Sequence, residues 1–529
     1  MMASHINTRF AFQFGFGRNI CVLALFGGVV GAYGELLEKL KDIDLIQQIG
    51  SLISWDQEVL MPPKAAPIRA EQLAWISKTA HERLTDSEIG SLLEQNESND
   101  DLDEVRKANI RLARESYDRA TKLPTEFVEE MAKHRSKALV SWTEAREKDD
   151  FSIFRDDLAI AIEHSRMKAD FFGYENLRYD ALLDLYESGL TVERLDPLFS
   201  GLRDHVAPLI KAVVDGGNRP DLSWVEDNTW DQPAQEELSQ RVSEAIGFDF
   251  SAGRRDLSTH PFCGGPNPDD VRWTTRYRED EPFGSLFGSM HETGHGTYEQ
   301  GRPRDFDFQP AGKANGLGVH ESQSRLWENQ VGRSREFCEW SLPLWKQCFP
   351  GNMEDVGAEQ LWQAVNLVEP GLIRVDADEA TYNLHIMIRY EIEKQLISGD
   401  IEVDELPDAW DEMYQEYLGI SAPNRSLGVL QDVHWSMGAI GYFPTYTLGN
   451  LYAAQLLEAA RRDIPKHDDQ IRDGEFSHLL SWMRENVHSR GSVLEPADLI
   501  EEATGSAPSP DAFVRYLSSK VERLYGVSA

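Results

Sequence analysis

Apolar residues recur at a spacing of three or four through most of this chain, and that period constrains its fold more than any other feature. The first such segment begins near Gly34 and ends before Pro62, and a second begins at Pro124 after an acidic connection over residues 95–105. The apolar positions of the first segment are Leu36, Leu40, Ile43, Ile46, Ile49 and Ile53. Further helices are predicted over residues 155–172, 190–215, 235–246, 376–398, 450–462, 476–488 and 511–524.

Strand signals are sparse in comparison. The best candidate is DVRWTTRYR at residues 270–278, which directly follows a turn rich in Gly and Pro at residues 263–268. No linker rich in Pro, Gly and Ser divides the chain. We therefore predict a mainly α protein in which residues 34–529 form a single large helical domain with a small β-sheet beside its active site.

Composition excludes several classes of partner. The 529 residues include 90 Asp and Glu but only 53 Lys and Arg, which gives a net charge of -37. A surface this negative repels nucleic acid and anionic lipid, so we expect neither nucleic-acid nor membrane binding. The four cysteines are too few for a disulfide scaffold and none forms a CxxC pair. A reducing compartment, and therefore a cytoplasmic location, is the simpler interpretation.

The first residues differ from the rest of the chain. Residues 1–34 contain no Asp or Glu, and they hold an apolar run over residues 20–33 that is short for a bilayer span. Its shape resembles a signal peptide with a cleavage site at residues 30–32, although the segment before it is long for one. We predict that residues 1–33 are a leader, either signal-like or disordered. Export is the alternative to a cytoplasmic location.

The strongest local signal is an HExxH motif, which runs from His291 through Glu292 to His295. Residues i and i+4 lie one turn apart on the same face of a helix, so both imidazoles can reach one metal ion. Glu292 projects near the same place and can accept a proton from a water molecule activated there. Two surface histidines on a helix are the alternative that the motif alone leaves open.

A catalytic metal of this kind usually needs a third protein ligand. Glu321 is the candidate; it lies thirty residues after His291 in the segment GVHESQSRLWENQV. The turn-rich residues 301–318 between them would allow the chain to return to the histidines. Spacing alone fits a solvated helix carboxylate at least as well. Zinc is the default ion for two His and one Glu, and Co²⁺ or Mn²⁺ fits the same ligands.

Several short motifs stand in order along the chain, and together they resemble the carboxypeptidase Taq family of metallocarboxypeptidases. These motifs are His260-Pro261-Phe262, Asp270-Val271-Arg272-Trp273-Thr274, HETGH at 291–295, His320-Glu321-Ser322 with Gln323, Ile373-Arg374-Val375-Asp376-Ala377-Asp378, and GVLQDVHW at 428–435. The early SWDQEVLMPP at 54–63 is also similar, so the resemblance covers roughly residues 35–525. The leader lies outside it.

The resemblance implies a mainly helical fold with a deep active-site groove, usually in a homodimer. It implies a divalent metal held by His291, His295 and Glu321, with Glu292 as the catalytic base. The implied activity is release of C-terminal amino acids from peptides with a free C-terminus, with broad tolerance of side chains.

Further site residues are predicted within these motifs. Tyr442 is our candidate donor to the tetrahedral oxyanion, and His434 and His260 are further candidate donors in the groove. Arg374 and Arg272 are candidates for binding the α-carboxylate of the substrate, because the planar fork of Arg matches a carboxylate. Each of these residues also has a plain structural alternative, as a buried aromatic or as part of an ion pair.

Asp270 and Asp378 are predicted either to orient the ligand imidazoles or to pair with the motif arginines.

Two competing functions stay open. Another HExxH peptidase, such as an oligopeptidase or peptidyl-dipeptidase, would share the metal chemistry and cut elsewhere in the peptide. A non-catalytic peptide-binding scaffold would be expected to have lost ligand or base residues, and all four are present.

Overall fold

The computed structural model describes residues 31–99 and 101–527, and helices dominate this part of the chain. Its helices are α1 Ala32–Val59, α2 Ala66–Leu84, α3 Ser87–Glu97, α4 Glu104–Lys122, α5 Thr125–Lys148, α6 Ser152–Phe172, α7 Arg178–Leu183, α8 Val192–Gly216, α9 Ser223–Glu226, α10 Gln232–Ile246, α11 Pro282–Gly301, α12 Leu317–Arg325, α13 Arg335–Cys348, α14 Ala358–Ala364, α15 Tyr382–Ser398, α16 Leu406–Leu418, α17 Pro444–Asp463, α18 His467–Asp473, α19 Ser477–Asn486, α20 Pro496–Thr504 and α21 Asp511–Tyr525. A π-helical segment, Leu326–Val331, directly follows α12.

Among the described residues, the strands form one three-stranded sheet, with β1 Gly253–Leu257, β2 Cys263–Asn267 and β3 Asp270–Thr275. The spatial order is β1-β3-β2, with β1 parallel and β2 antiparallel to β3. The predicted mainly α fold with a small sheet is confirmed, and β3 lies within the predicted strand 270–278.

The predicted turn at residues 263–268 is wrong, because most of it is strand β2. Because this segment is rich in Gly and Pro, its sequence indicated a turn instead of a strand. Pro266 is tolerated there because β2 lies at the edge of the sheet, where a missing N–H leaves no ladder partner unsatisfied. At Gly265 a Cβ atom would overlap the backbone of Asp270, so the hairpin to β3 needs glycine at this position.

Helix boundaries follow the predictions within a few residues except at two places. The helix predicted over 376–398 begins only at Tyr382, because Asp378 accepts hydrogen bonds from the backbone N–H groups of Ala380 and Thr381 ahead of it. The helix predicted over 450–462 begins earlier, at Pro444.

Three apolar clusters hold the described residues together. The largest includes α11, α12 and α17 at its centre, and a small one under the sheet contains Val271 and Trp273. Another is built from α1, α3 and α4 around Leu36 and Leu93. The predicted apolar face of α1 is wrong at Ile49, which is 53% exposed, because the second half of α1 turns Trp55 inward instead.

The leader predicted at residues 1–33 lies largely outside the described residues, and so does Cys21. The structure describes the chain from residue 31, and α1 begins at Ala32. Within the described residues, no helix combines the length and apolar character needed to cross a bilayer.

Candidate metal and catalytic site

Helix α11 carries both histidines of the HExxH motif. Its first turn is stabilised by Glu281, whose carboxylate accepts hydrogen bonds from the backbone N–H groups of Phe283 and Gly284. His291 and His295 lie one turn apart on the same face, with ring centroids 4.8 Å apart. The predicted helical placement of the motif is confirmed.

Glycine at position 294 allows α12 to lie directly against α11. A Cβ atom there would be 2.5 Å from the carbonyl oxygen of Gln323 and 2.7 Å from the Cα of Ser324, both in the backbone of α12. Any larger residue would therefore force the two helices apart. This close approach carries Glu321 on α12 to the two histidines.

Helix α17 supports α12 from the other side. It is buried along almost its whole length, and a Cβ atom at Gly449 would overlap the side chain of Glu321. The helix that carries Glu321 is thus held between two close helix contacts.

His291, His295 and Glu321 offer one ligand atom each, and these atoms all lie within 4.8 Å of one another. The Nε2 atoms of His291 and His295 are 3.6 and 3.5 Å from Glu321 Oε2. Two ligands bound to one tetrahedral zinc ion stand roughly 3.3 Å apart at bond lengths of about 2.0–2.1 Å. The arrangement therefore fits a divalent metal with little movement, and both histidines are partly exposed.

Two residues that our sequence analysis did not single out hold this site in place. Glu328 accepts a hydrogen bond from His291 Nδ1 at 2.8 Å, which leaves Nε2 directed at Glu321. Arg325 donates to Glu321 Oε1 at 2.6 Å and to Glu328 Oε2 at 3.2 Å. Burial alone would raise the pKa of Glu321, but Arg325 and the two histidines hold it well below its usual range.

Glu292 lies on α11 beside the candidate ligands and is only 5% exposed. Its Oε2 atom is buried without a hydrogen-bond partner in the described structure, which is unusual for a carboxylate. Burial raises the pKa of Glu292 to about 7, and the nearby Glu321 and Glu328 add to this rise. A carboxyl group in this state can both accept and return a proton near neutral pH.

An aromatic cluster lies on the α17 side of the site. The ring of Tyr442 is 5.4 Å from that of Tyr446 and 5.5 Å from that of His434, measured between centroids. Arg325, which holds Glu321, stacks over the ring of Tyr382 at 4.4 Å. Burial and the charge of Glu321 raise the pKa of Tyr442, so its hydroxyl keeps its proton.

Arg374 is 5% exposed and belongs to this cluster. Its Nε and Nη2 donate to Asp432 Oδ1 at 3.0 and 2.7 Å, and its Nη1 donates to Tyr382 at 3.2 Å. Arg389 binds the other oxygen of Asp432. Three of the five N–H donors of Arg374 are used in this way, and two are left for another acceptor.

Arg272 and His260 lie on the sheet side. Arg272 on β3 forms a two-pronged ion pair with Asp270 at 2.7 and 2.9 Å, and its guanidinium lies 4.6 Å from the ring centroid of Trp55. His260 is exposed on the connection between β1 and β2. Neither residue belongs to the ligand group.

The two aspartates do not orient the imidazoles of the candidate ligands His291 and His295. Asp270 pairs with Arg272, which is the second of the two predicted possibilities. Asp378 instead accepts hydrogen bonds from backbone N–H groups of residues 369, 380 and 381, and so matches neither possibility. Glu328 holds His291 in their place. Its signal was in the sequence, because Glu321, Arg325 and Glu328 are spaced four and three apart on one helix face.

Comparisons with known proteins find relatives that match nearly the whole chain. Residues 35–521 match the family model of the carboxypeptidase Taq (M32) metallopeptidases. Thermostable carboxypeptidase 1 of Thermus thermophilus is 41% identical over 94% of this chain and 99% of its own length. Carboxypeptidase 1 of Bacillus subtilis is 38% identical over 93% and 98%. The crystal structure of the M32 carboxypeptidase of Deinococcus radiodurans superposes with a TM-score of 0.91 at 38% identity, covering 94% of this chain and all of that one.

Proposed function

This chain belongs to the carboxypeptidase Taq (M32) metallopeptidase family and is a metal-dependent carboxypeptidase acting on peptides, and we propose that its reaction takes place between His291, His295, Glu321 and Glu292. The observation that supports this site best is the convergence of three ligand atoms beside a buried carboxyl oxygen without a partner. In the proposed reaction, the chain releases amino acids one at a time from a free C-terminus, with broad tolerance of side chains.

Zinc is the ion we propose, since two imidazoles and one carboxylate suit it, with Co²⁺ and Mn²⁺ as ions that accept the same ligands. Held by His291, His295 and Glu321, it would supply positive charge that polarises the scissile carbonyl and makes water acidic. Glu328 and Arg325 keep two of these ligands in position.

Glu292 is the proposed catalytic base. It takes the proton of the attacking water on its free Oε2 atom and returns it to the nitrogen of the leaving amino acid. Burial supports this role, because a carboxyl group with a pKa of about 7 exchanges protons readily at neutral pH.

Tyr442 is the proposed donor to the oxyanion, because its protonated hydroxyl belongs to the cluster next to Glu321. His434 is the second proposed donor. Burial lowers its pKa to about 4, so it is neutral at pH 7 and carries one N–H group. Removing one such donor costs roughly 10²–10³ in kcat, which we expect for Tyr442→Phe.

Arg374 is the proposed anchor for the substrate carboxylate, through the two N–H groups that Asp432 and Tyr382 leave free. A local cation is needed because the net charge of -37 repels an anionic C-terminus. Arg272 and His260 are proposed to contact the substrate from the sheet side. Beyond the site, we propose a homodimer in the cytoplasm that binds neither membranes nor nucleic acid.

The test is amino-acid release from one short peptide that carries either a free or an amidated C-terminus. We expect stepwise release from the free peptide only, abolished by a chelator and by Glu292→Gln. Glu458→Gln, on an exposed ion pair with Arg515, is the matched control and should keep wild-type activity. Equal cleavage of the amidated peptide would reject the anchor role of Arg374 and favour the oligopeptidase alternative.

A further inference from the structure

His320 has no role in the site as proposed so far, although it neighbours Glu321 in the sequence. Its Nδ1 lies 2.6 Å from His295 Nδ1, and its Nε2 lies 3.0 Å from Glu299 Oε1. The rings of His295 and His320 are 4.5 Å apart between centroids. Thus a histidine stands between a ligand histidine and a carboxylate.

The carboxylate determines which nitrogen of His320 carries the proton. An ionised Glu299 can only accept a hydrogen bond, so Nε2 of His320 must donate. Arg302 pairs with the other oxygen of Glu299 at 2.9 Å and stabilises its charge. With its proton on Nε2, the lone pair of His320 that can accept a hydrogen bond is the one on Nδ1.

That lone pair in turn determines the tautomer of His295. Of two nitrogens 2.6 Å apart, one must donate. The proposed metal binding through His295 Nε2 requires the proton of His295 to lie on Nδ1, so His320 Nδ1 is the acceptor. His295 therefore carries its proton on Nδ1 and keeps a lone pair on Nε2, the atom that faces Glu321 at 3.5 Å. His291 reaches the same state in one step, through its direct contact with Glu328.

We propose that Glu299 and His320 form a two-step hydrogen-bond relay that sets the tautomer of His295 and so presents its Nε2 to the metal. Both are positioning residues that act through His295. Helix geometry favours the arrangement, because Glu299 lies four residues after His295 on the same face of α11. The proposal rests on the proposed metal ligation by His295.

Two substitutions of His320 distinguish a role as hydrogen-bond acceptor at Nδ1 from a role in packing alone. In His320→Asn the amide oxygen is bonded to Cγ, as Nδ1 is, so it can still accept from His295. In His320→Gln the side chain is one bond longer, so the amide takes the position of Nε2. No acceptor then remains at the position of Nδ1. His478→Gln is the matched control, because His478 is 54% exposed beside Glu475.

The measurement is the zinc dissociation constant, obtained by competition with a chromophoric chelator. We expect His320→Gln to bind zinc about 10–100-fold more weakly than wild type, and His320→Asn to stay within about threefold. The visible spectrum of the Co²⁺-loaded protein should be kept by the Asn variant and altered by the Gln variant. Thermal unfolding of the metal-free proteins shows whether each variant is folded.

Equal weakening by Asn and Gln would overturn the relay, and so would wild-type affinity in the Gln variant. Failure of the wild-type protein to bind one zinc ion would instead reject the proposed metal site itself. If the Gln variant does not fold, proton NMR of the Co²⁺-loaded wild-type protein tests the proposal instead. Two shifted resonances that disappear in D₂O are expected, one from each ligand Nδ1–H, and a single one would overturn the proposal.

Discussion

Gly294→Ala tests whether the approach of α12 to α11 creates the metal site. The new Cβ atom would lie 2.5 Å from the carbonyl oxygen of Gln323, whereas an ordinary contact is 3.4 Å or more, so the helices must separate by about 0.9 Å. The Nε2 atoms of His291 and His295 already lie 3.6 and 3.5 Å from Glu321 Oε2. A comparable increase takes the carboxylate out of bonding range of an ion held by the histidines.

The expected result is a large loss of metal affinity with a small loss of stability. Overpacking costs about 1–3 kcal/mol, and the better helix propensity of Ala returns about 1 kcal/mol, so the metal-free protein should lose at most about 2 kcal/mol. Zinc affinity should fall at least about tenfold, and kcat/KM with it at limiting metal. Zinc titration against a chelator and urea unfolding of the metal-free protein measure the two quantities.

Gly201→Ala is the matched control for this substitution. Gly201 lies inside α8, and a Cβ atom there meets only Pro510, at an ordinary 3.4 Å. The change should stabilise the protein by roughly 0.5–1 kcal/mol and leave zinc affinity unchanged. If Gly294→Ala bound zinc as tightly as wild type, the reasoning from helix approach would be refuted.

Two further predictions concern buried ionisable groups. Burial raises the pKa of Glu187 to about 8, so wild type should lose about 3.5 kcal/mol more unfolding free energy than Glu187→Gln between pH 5 and pH 8. Asp432→Asn should cost about 3–5 kcal/mol, because it leaves the buried cations Arg374 and Arg389 without their shared carboxylate. Both are measured by urea unfolding of the metal-free proteins.

The direction in which the unfolding free energy changes with pH follows from proton binding at Glu187. Between pH 4.5, its unfolded value, and about 8, the unfolded state releases this proton while the folded state keeps it, so stability falls as pH rises. Identical pH profiles for wild type and variant would contradict this. For Asp432 the control is Glu458→Ala in an exposed pair, which should cost less than about 1 kcal/mol. A comparable cost at both sites would show that burial is not what makes the Asp432 pair matter.

Local spacing along the chain indicated the fold class and the first two candidate ligands. A period of 3.6 residues predicted most of the long helices, although it did not single out α2 and α4, which have 19 residues each. The same period places His291 and His295 one turn apart on any helix. Neither inference needs a neighbouring element. The motif resemblance added the family, because several separate motifs stand in the expected order.

Tertiary structure alone decided which side chains meet across elements. Glu321 reaches the histidines because Gly294 and Gly449 admit its helix closely on both sides. Arg374 is paired with Asp432, fifty-eight residues away, which no local pattern shows. Spacing within a helix is set by backbone geometry, whereas contacts between helices depend on how side chains of distant segments fill space. For this reason the sequence by itself indicated a metal site, and only the packing of α11, α12 and α17 determined its geometry.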